Sequence, residues 1–114
     1  VTDVRRVLPA LAFVVIASTA SVAGCAADGP PTPTDPVLAT GQQVYDRNCA
    51  SCHGRSGGGG VGPALGNIEK TYPNVDAHTA IVAKGVRGTN MPAFEDRLTP
   101  EEIDAVVRYE RESL

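Results

Sequence analysis

Cys49-Ala50-Ser51-Cys52-His53 puts two thiols three positions apart and a histidine directly after the second. At that spacing on a turn, each thiol can add to one vinyl group of a single haem. The adjacent imidazole is then held beneath the iron, for which its nitrogen is a good ligand. One short segment thus fixes a macrocycle covalently and supplies a metal ligand. Three other chemistries use cysteines this close. A redox dithiol needs no His53 and favours a βαβ setting, which the sequence lacks. A zinc site needs four ligands, and Cys49, Cys52, His53 and His78 would offer two of them from adjacent residues, a poor start for a tetrahedron. A structural disulfide between Cys49 and Cys52 is the third. The histidine favours haem over all three.

The composition agrees. The chain has 114 residues, no Trp, two Phe and three Tyr, with twelve Gly and nine Pro. A domain of this size is short of core formers, and below about 80 ordered residues a core usually needs a staple. An apolar cofactor would be one. The net charge is −3. From Cys25 onward there are eight Lys or Arg against twelve Asp or Glu, so the basic patch that nucleic-acid binding requires is missing.

On the amino side of the motif, Asp35-Pro36 reads as an N-cap followed by proline at the first helical position. Leu38, Gly41, Val44, Tyr45 and Asn48 then share one helical face that runs into Cys49. On the carboxyl side, Arg55 to Gly62 is rich in glycine. No strand precedes it and no Gly-Lys-Ser/Thr follows, so it reads as a flexible turn around a cofactor edge, not a phosphate loop. Asp76 to Lys84 reads as a short helix capped by Asp76, with Ile81 and Val82 inward and Gly85 as a left-handed exit. Leu98 to Leu114 carries the clearest signal: Thr99 and Glu102 form a capping box around Pro100, and Leu98 and Ile103 a hydrophobic staple. Ile103, Val106 and Val107 continue the stripe. No stretch alternates like a half-buried strand. The expected class is all-α, three to four helices with long loops around one covalent haem.

A second iron ligand has to come from elsewhere. Met91 is the only methionine, and it lies in the polar loop Asn90-Met91-Pro92-Ala93-Phe94, a poor place for core filler. His78 is the rival, but a single histidine near a helix start is usually solvated. Met91 is the better candidate.

These features, in this order, resemble the small monohaem cytochrome c family with Met/His ligation, over Val37 to Leu114. Gly41 and Tyr45 precede the Cys-x-x-Cys-His motif, Gly62-Pro63-Ala64-Leu65 follows it, Met91-Pro92 follows a helix and Gly85, and Tyr109 lies on the last helix. The resemblance implies that His53 and Met91 ligate iron and that the carbonyl of Pro63 accepts a hydrogen bond from His53, orienting the ring. It also implies that the first and last helices cross near Gly41 and Tyr109. Glu110 departs from the pattern, falling where an apolar residue is usual. Either the last turn frays or Glu110 reaches an arginine such as Arg111.

The amino end reads as an address. Arg5-Arg6 is followed by an uncharged apolar run, Val7 to Gly24, as in a secretory signal. The run is near the lower limit for a membrane span and is weakened by Pro9, Ser18, Thr19 and Ser21. Val22-Ala23-Gly24-Cys25 resembles the bacterial lipoprotein box, which implies cleavage before Cys25 and lipidation of its thiol. A plain cleaved signal and a retained anchor are the alternatives. The expected organisation is a signal over residues 1–24, a lipidated Cys25 and Pro-rich linker over 25–36, and a folded domain over 37–114. Ala26 to Pro36 has nothing to bury and would extend roughly 30 Å. The expected location is the extracytoplasmic side of a bacterial membrane, lipid-anchored.

Iron with two protein ligands has no vacant position, so the expected role is a monomeric carrier of single electrons between redox proteins, with membrane complexes as partners, and not an enzyme. A small peroxidase or gas-binding protein would require Met91 to leave the iron and a distal catalytic group such as an Arg–His pair, which is not readable. A redox subunit fixed in a larger complex and a haem-free binding protein are the other readings.

Overall fold

The computed structural model describes residues 29–114. Within them the chain forms five helices and no strand: α1 (Pro36–Asn48), α2 (Ala50–His53), α3 (Ile68–Thr71), α4 (Val75–Lys84) and α5 (Pro100–Glu112). The three longer helices are the ones expected. The two single-turn helices, α2 and α3, carry too little periodicity to be visible in sequence. Residues 1–24, read as a signal, and Cys25 lie outside the described residues.

α1 begins as its residues dictate. Asp35 accepts hydrogen bonds from the backbone N–H groups of Val37 and Leu38 at 2.8 and 3.2 Å. Those bonds satisfy donors that a helix start leaves free, and they hold the Asp35 carboxyl below its usual range. The capping box of α5 forms as well: Glu102 N–H donates to Thr99 Oγ1 at 3.2 Å, and Thr99 N–H donates back to Glu102 Oε2 at 3.0 Å. α4 is capped differently from the expectation. Asn74, not Asp76, accepts from the N–H groups of Asp76 and Ala77. Asp76 therefore lies inside the first turn, where its charge suits the positive helix end.

α1 and α5 make the principal packing. Val44, Tyr45, Val106, Val107 and Tyr109 are the largest fully buried side chains. The rings of Tyr45 and Tyr109 lie 5.6 Å apart at 51°, a tilted arrangement that aromatic pairs favour. Gly41 sits at the crossing, where a Cβ would stand 2.7 Å from that of Tyr109 and against the backbone of Ala105. The helix pair implied by Gly41 and Tyr109 is therefore present, and contact is close because Gly41 has no side chain.

Three expectations need correction. The segment before α1 is not free over its described length. The Gln42 amide donates to the Pro30 carbonyl at 2.8 Å, and Asp35 pairs with Arg108 of α5 at 3.1 Å. Gln42 is itself buried, so its amide needs an acceptor, and the proline-rich segment supplies one. The last turn of α5 does not fray at Glu110, nor does Glu110 reach Arg111. Glu110 is 4% exposed and meets His78 of α4, Nε2 to Oε2, at 3.0 Å. Arg111 donates instead to the carbonyls of Tyr72 and Pro73 at 2.7 and 3.2 Å. His78, expected to be solvated, is buried for the same reason: it lies one turn before Val82 on the inward face of α4.

Candidate haem-binding site

The cysteine motif is a single helical turn. Cys52 and His53 both donate backbone N–H to the Cys49 carbonyl, at 3.1 and 3.0 Å. Residues three and four apart on a helix share a face, so Cys49, Cys52 and His53 are presented together. Cys49 is buried, Cys52 half-buried, and both are free thiols. Burial, then the charge of Glu110, push the Cys49 thiol up to about 12.

Gly54, at φ +81°, ends the turn, a conformation open to glycine and rarely to others. The chain then doubles back. Gly57 donates to the Gly54 carbonyl at 3.0 Å, Gly59 to that of His53 at 2.8 Å, and Gly62 to that of Cys52 at 2.8 Å. Tyr45 Oη donates to the Gly54 carbonyl at 2.7 Å. The glycine-rich stretch, expected to be a flexible turn, is thus a pinned loop. Its backbone satisfies the carbonyls that the short helix leaves open. Composition suggested flexibility, but the hydrogen bonds decide otherwise.

His53 is 8% exposed, and its Nδ1 lies 2.8 Å from the Pro63 carbonyl. A carbonyl only accepts, so Nδ1 carries the proton and Nε2 is left with its lone pair. That is the tautomer a metal ligand needs. Gly62 also lies against the ring: a Cβ there would come within 2.7 Å of His53 Cε1 and 2.9 Å of Nδ1. The ring is held by a hydrogen bond and a close-packed glycine. Two unpaired thiols and an oriented imidazole on one face are the donor set a covalent haem requires, and the residues fit that group.

Met91 is half-buried and packs against the core cluster. Its loop is held at several points. Met91 N–H donates to Thr89 Oγ1 at 3.1 Å, Val86 N–H to the Met91 carbonyl at 3.1 Å, and Phe94 and Glu95 N–H to the Ala83 carbonyl at 2.9 and 3.0 Å. Gly85 has φ +69°, and a Cβ on it would stand 2.6 Å from the Met91 carbonyl oxygen. The positive φ is the left-handed exit expected, with a ψ of −172° that only glycine readily adopts there. His78, the rival ligand, has its Nε2 engaged by Glu110. Among the described residues no group of three or more His, Cys, Asp or Glu is arranged to hold a metal ion, so the four residues weighed as a zinc site do not assemble.

Sequence reasoning missed three contributors: the contact of Gly62 with the imidazole, the Tyr45 hydroxyl on the Gly54 carbonyl, and the His78–Glu110 pair. The last was within reach. His78 and Glu110 each occupy an inward position on an otherwise apolar stripe, and an inward charge implies a buried partner.

Fold and site define a small all-helical domain that offers two thiols and an imidazole to one macrocycle. Residues 36–109 match the family described as Cytochrome C oxidase, cbb3-type, subunit III. Cytochrome c6 of Anabaena variabilis is 38% identical over 73 residues, covering 60% of this chain and 83% of that protein. The Cbb3-type cytochrome c oxidase subunit FixP of Sinorhizobium medicae is 33% identical over 83 residues, covering 64% of this chain and 29% of that protein. Among solved structures, cytochrome CL from Methylophaga aminisulfidivorans superposes with a TM-score of 0.60 at 29% identity, over 70% of this chain and 55% of that one. The chain thus spans most of a cytochrome c6, but about half of cytochrome CL and less than a third of FixP. The chain belongs to the cytochrome c family of electron carriers, whose members carry one covalent haem c.

Proposed function

We propose that this is an exported, membrane-tethered monohaem cytochrome that passes single electrons between redox proteins, with His53 and Met91 as iron ligands. The observation that carries the ligand assignment is the His53–Pro63 hydrogen bond, which fixes the tautomer and leaves Nε2 free to bind iron. Engagement of His78 by Glu110 supports Met91 over His78 as the second ligand. Bound through Cys49 and Cys52, the haem supplies a one-electron couple, and Met/His ligation raises its potential. The chain's own residues hold geometry. Pro63 and Gly62 orient the imidazole, the Gly57–Gly62 loop pins the cysteine turn, and Gly85 lets the Met91 loop close. Were His53 and Met91 both to ligate the iron, no site would be left there for substrate.

Anchoring through a lipid on Cys25 rests on the apolar run and small residues that precede it. No helix among the described residues is long and apolar enough to cross a membrane. Partners embedded in the same membrane would then meet the domain at an effective concentration set by its tether. Lys70 and Lys84 are the only lysines, so a lysine-ringed docking face is not available. Val61, 75% exposed in the glycine-rich loop, suits an apolar contact at the cysteine edge. The match to a cbb3 oxidase subunit supports a second reading, in which the domain is a fixed redox module of a membrane complex.

Haem attachment and ligation are tested together. Haem should stay on the polypeptide through denaturation and acidified organic extraction. Met91→Ala should lose the thioether–ferric absorption, bind carbon monoxide when reduced and fall in potential. His78→Ala should keep the thioether band and exclude carbon monoxide. Extractable haem, or the reverse pattern in the two variants, overturns the assignment. Cys25→Ser should release the domain from membranes or block its maturation. A wild-type protein found wholly in the soluble extracytoplasmic fraction contradicts the anchor.

A further inference from the structure

One buried polar pair takes no part in holding the haem. His78 and Glu110 have side chains 4% exposed, joined Nε2 to Oε2 at 3.0 Å. His78 Nδ1 is buried with no hydrogen-bond partner. Because Nε2–H donates to the carboxylate whether or not the ring is charged, Nδ1 is the one ring atom left to gain or lose a proton.

The groups around the pair leave Glu110 without another counter-ion. On its own helix, Arg111 turns to the carbonyls of Tyr72 and Pro73, and Arg108 to Asp35 and Glu112. From the segment after α3, the Tyr72 ring stacks on His78 at 6.2 Å. Glu69 of α3 is half-buried, and Asp76 of α4 is exposed. From α1 come Tyr45, Asp46 and Cys49; Asp46 is exposed. Glu110 directly follows Tyr109, whose ring lies 5.6 Å from that of Tyr45, one turn before Cys49; burial first, and then the charge of Glu110, raise the Tyr45 hydroxyl and the Cys49 thiol. Cys49 is a point of covalent attachment for the macrocycle, so a charge felt at its sulfur is felt at the macrocycle edge. A buried carboxylate facing neutral imidazole is an uncompensated negative charge, and one facing imidazolium is balanced.

We propose that the His78–Glu110 pair is a redox-linked proton site, taking a proton from solvent at His78 Nδ1 when the domain gains an electron and returning it when the electron leaves. The proposal rests on the haem reading of the cysteine motif. The electron comes from the donor protein and the proton from water. The pair passes from a net charge of −1, with neutral imidazole and carboxylate, to zero, with imidazolium and carboxylate. The oxidised centre carries one more positive charge and so disfavours that proton. Linkage is reciprocal: the factor by which redox state alters proton affinity equals the factor by which the proton alters the redox equilibrium. The unprotonated pair favours the oxidised form, so the potential falls as pH rises through the pair's titration.

The test uses the holoprotein. His53 and His78 are the only histidines. With His53 on the iron, the ring protons of His78 can be followed by NMR against pH in the reduced and oxidised protein. We expect a proton affinity about tenfold higher in the reduced form, equivalent to about 59 mV between the high- and low-pH potentials. Potentials measured across the same pH range in wild type and in a His78→Leu/Glu110→Leu double variant provide the second arm. The propionates of haem titrate in both proteins, so the difference between the two curves belongs to the pair. The double variant should lose that part of the pH dependence while keeping its spectrum. Equal His78 titration in the two redox states, no titration of His78, or an unchanged pH dependence in the double variant overturns the proposal. Absence of bound haem would overturn the underlying reading instead, and is recognised at once from the spectrum.

Discussion

Gly41 of α1 and Tyr109 of α5 meet so closely that a Cβ on the glycine would stand 2.7 Å from the tyrosine Cβ. The nearer obstacle is the Ala105 carbonyl, which is backbone and cannot rotate away. Gly41→Ala therefore opposes two effects. Alanine in a helix interior gains about 1 kcal/mol over glycine, while overpacking costs typically about 1–3 kcal/mol and occasionally more. Because the clash is with a partner helix's backbone, overpacking should win. Denaturant unfolding of the holoprotein should give a lower midpoint for Gly41→Ala, and a larger loss for Gly41→Val. A midpoint at or above wild type would contradict the crossing.

Gly62→Ala should act on the imidazole with little effect on the rest of the fold. The new methyl would press on a ring whose Nδ1 is already committed to Pro63. We expect the His53–Pro63 bond to lengthen and the histidine to be lost from the iron at a higher pH on acidification. An acid titration followed by the conversion from low-spin to high-spin absorption measures this. A titration superimposable on wild type would mean that the glycine is not required for the ring's position.

Gly85→Ala tests the Met91 loop. Its positive φ and its approach to the Met91 carbonyl both resist a side chain. The substitution should weaken methionine ligation without loosening the covalent attachment. The reduced variant should bind carbon monoxide readily, with the thioether–ferric absorption reduced in the oxidised form. Full exclusion of carbon monoxide would show that the loop tolerates the change.

Asp35 gives a prediction with a definite sign. The backbone N–H groups of Leu38 and Val37, then Arg108, hold its carboxyl below the ordinary 3.8. A carboxylate depressed in the folded state stabilises above its unfolded value and loses that effect as pH falls through the folded one. Asp35→Ala should therefore be less stable than wild type at neutral pH, with the gap closing as pH drops below 3.8. Asp35→Asn should keep the cap and most of the stability, but lose the pH dependence. Thermal unfolding of the three proteins at neutral and acidic pH tests this. A gap that stays constant with pH would remove the ionised cap as its cause.

Much of this fold was readable because its signals are local. Pro36, Thr99 and Glu102 announce helix starts within a few residues, and the capping box forms between the residues expected. The cysteine motif carries its chemistry within five positions. What escaped was set by partners distant in sequence. Asn74 takes the α4 cap two residues earlier than Asp76 would, a choice between neighbouring capping residues that composition alone does not decide. The Gly57–Gly62 loop is rigid because its N–H groups find the carbonyls of residues 52–54, and no periodicity encodes that. Glu110 looked like a fault in a stripe until α4 supplied His78. Gln42 and Pro30 meet across a segment that composition marks as free linker.

The pairing of α1 with α5 also bears on how the molecule comes into being. The helix before the cysteine motif finds its main packing partner only at the far end of the chain, with residues 49–99 lying between them. During synthesis from the amino end, Cys49, Cys52 and His53 therefore emerge long before α5 exists to cover α1. Closing so long a loop costs entropy before any contact offsets it. The nascent chain has every reason to leave its thiols accessible until the final helix arrives. Assembly order thus favours the attachment chemistry first and the packed core afterwards, with α5 acting as the latch.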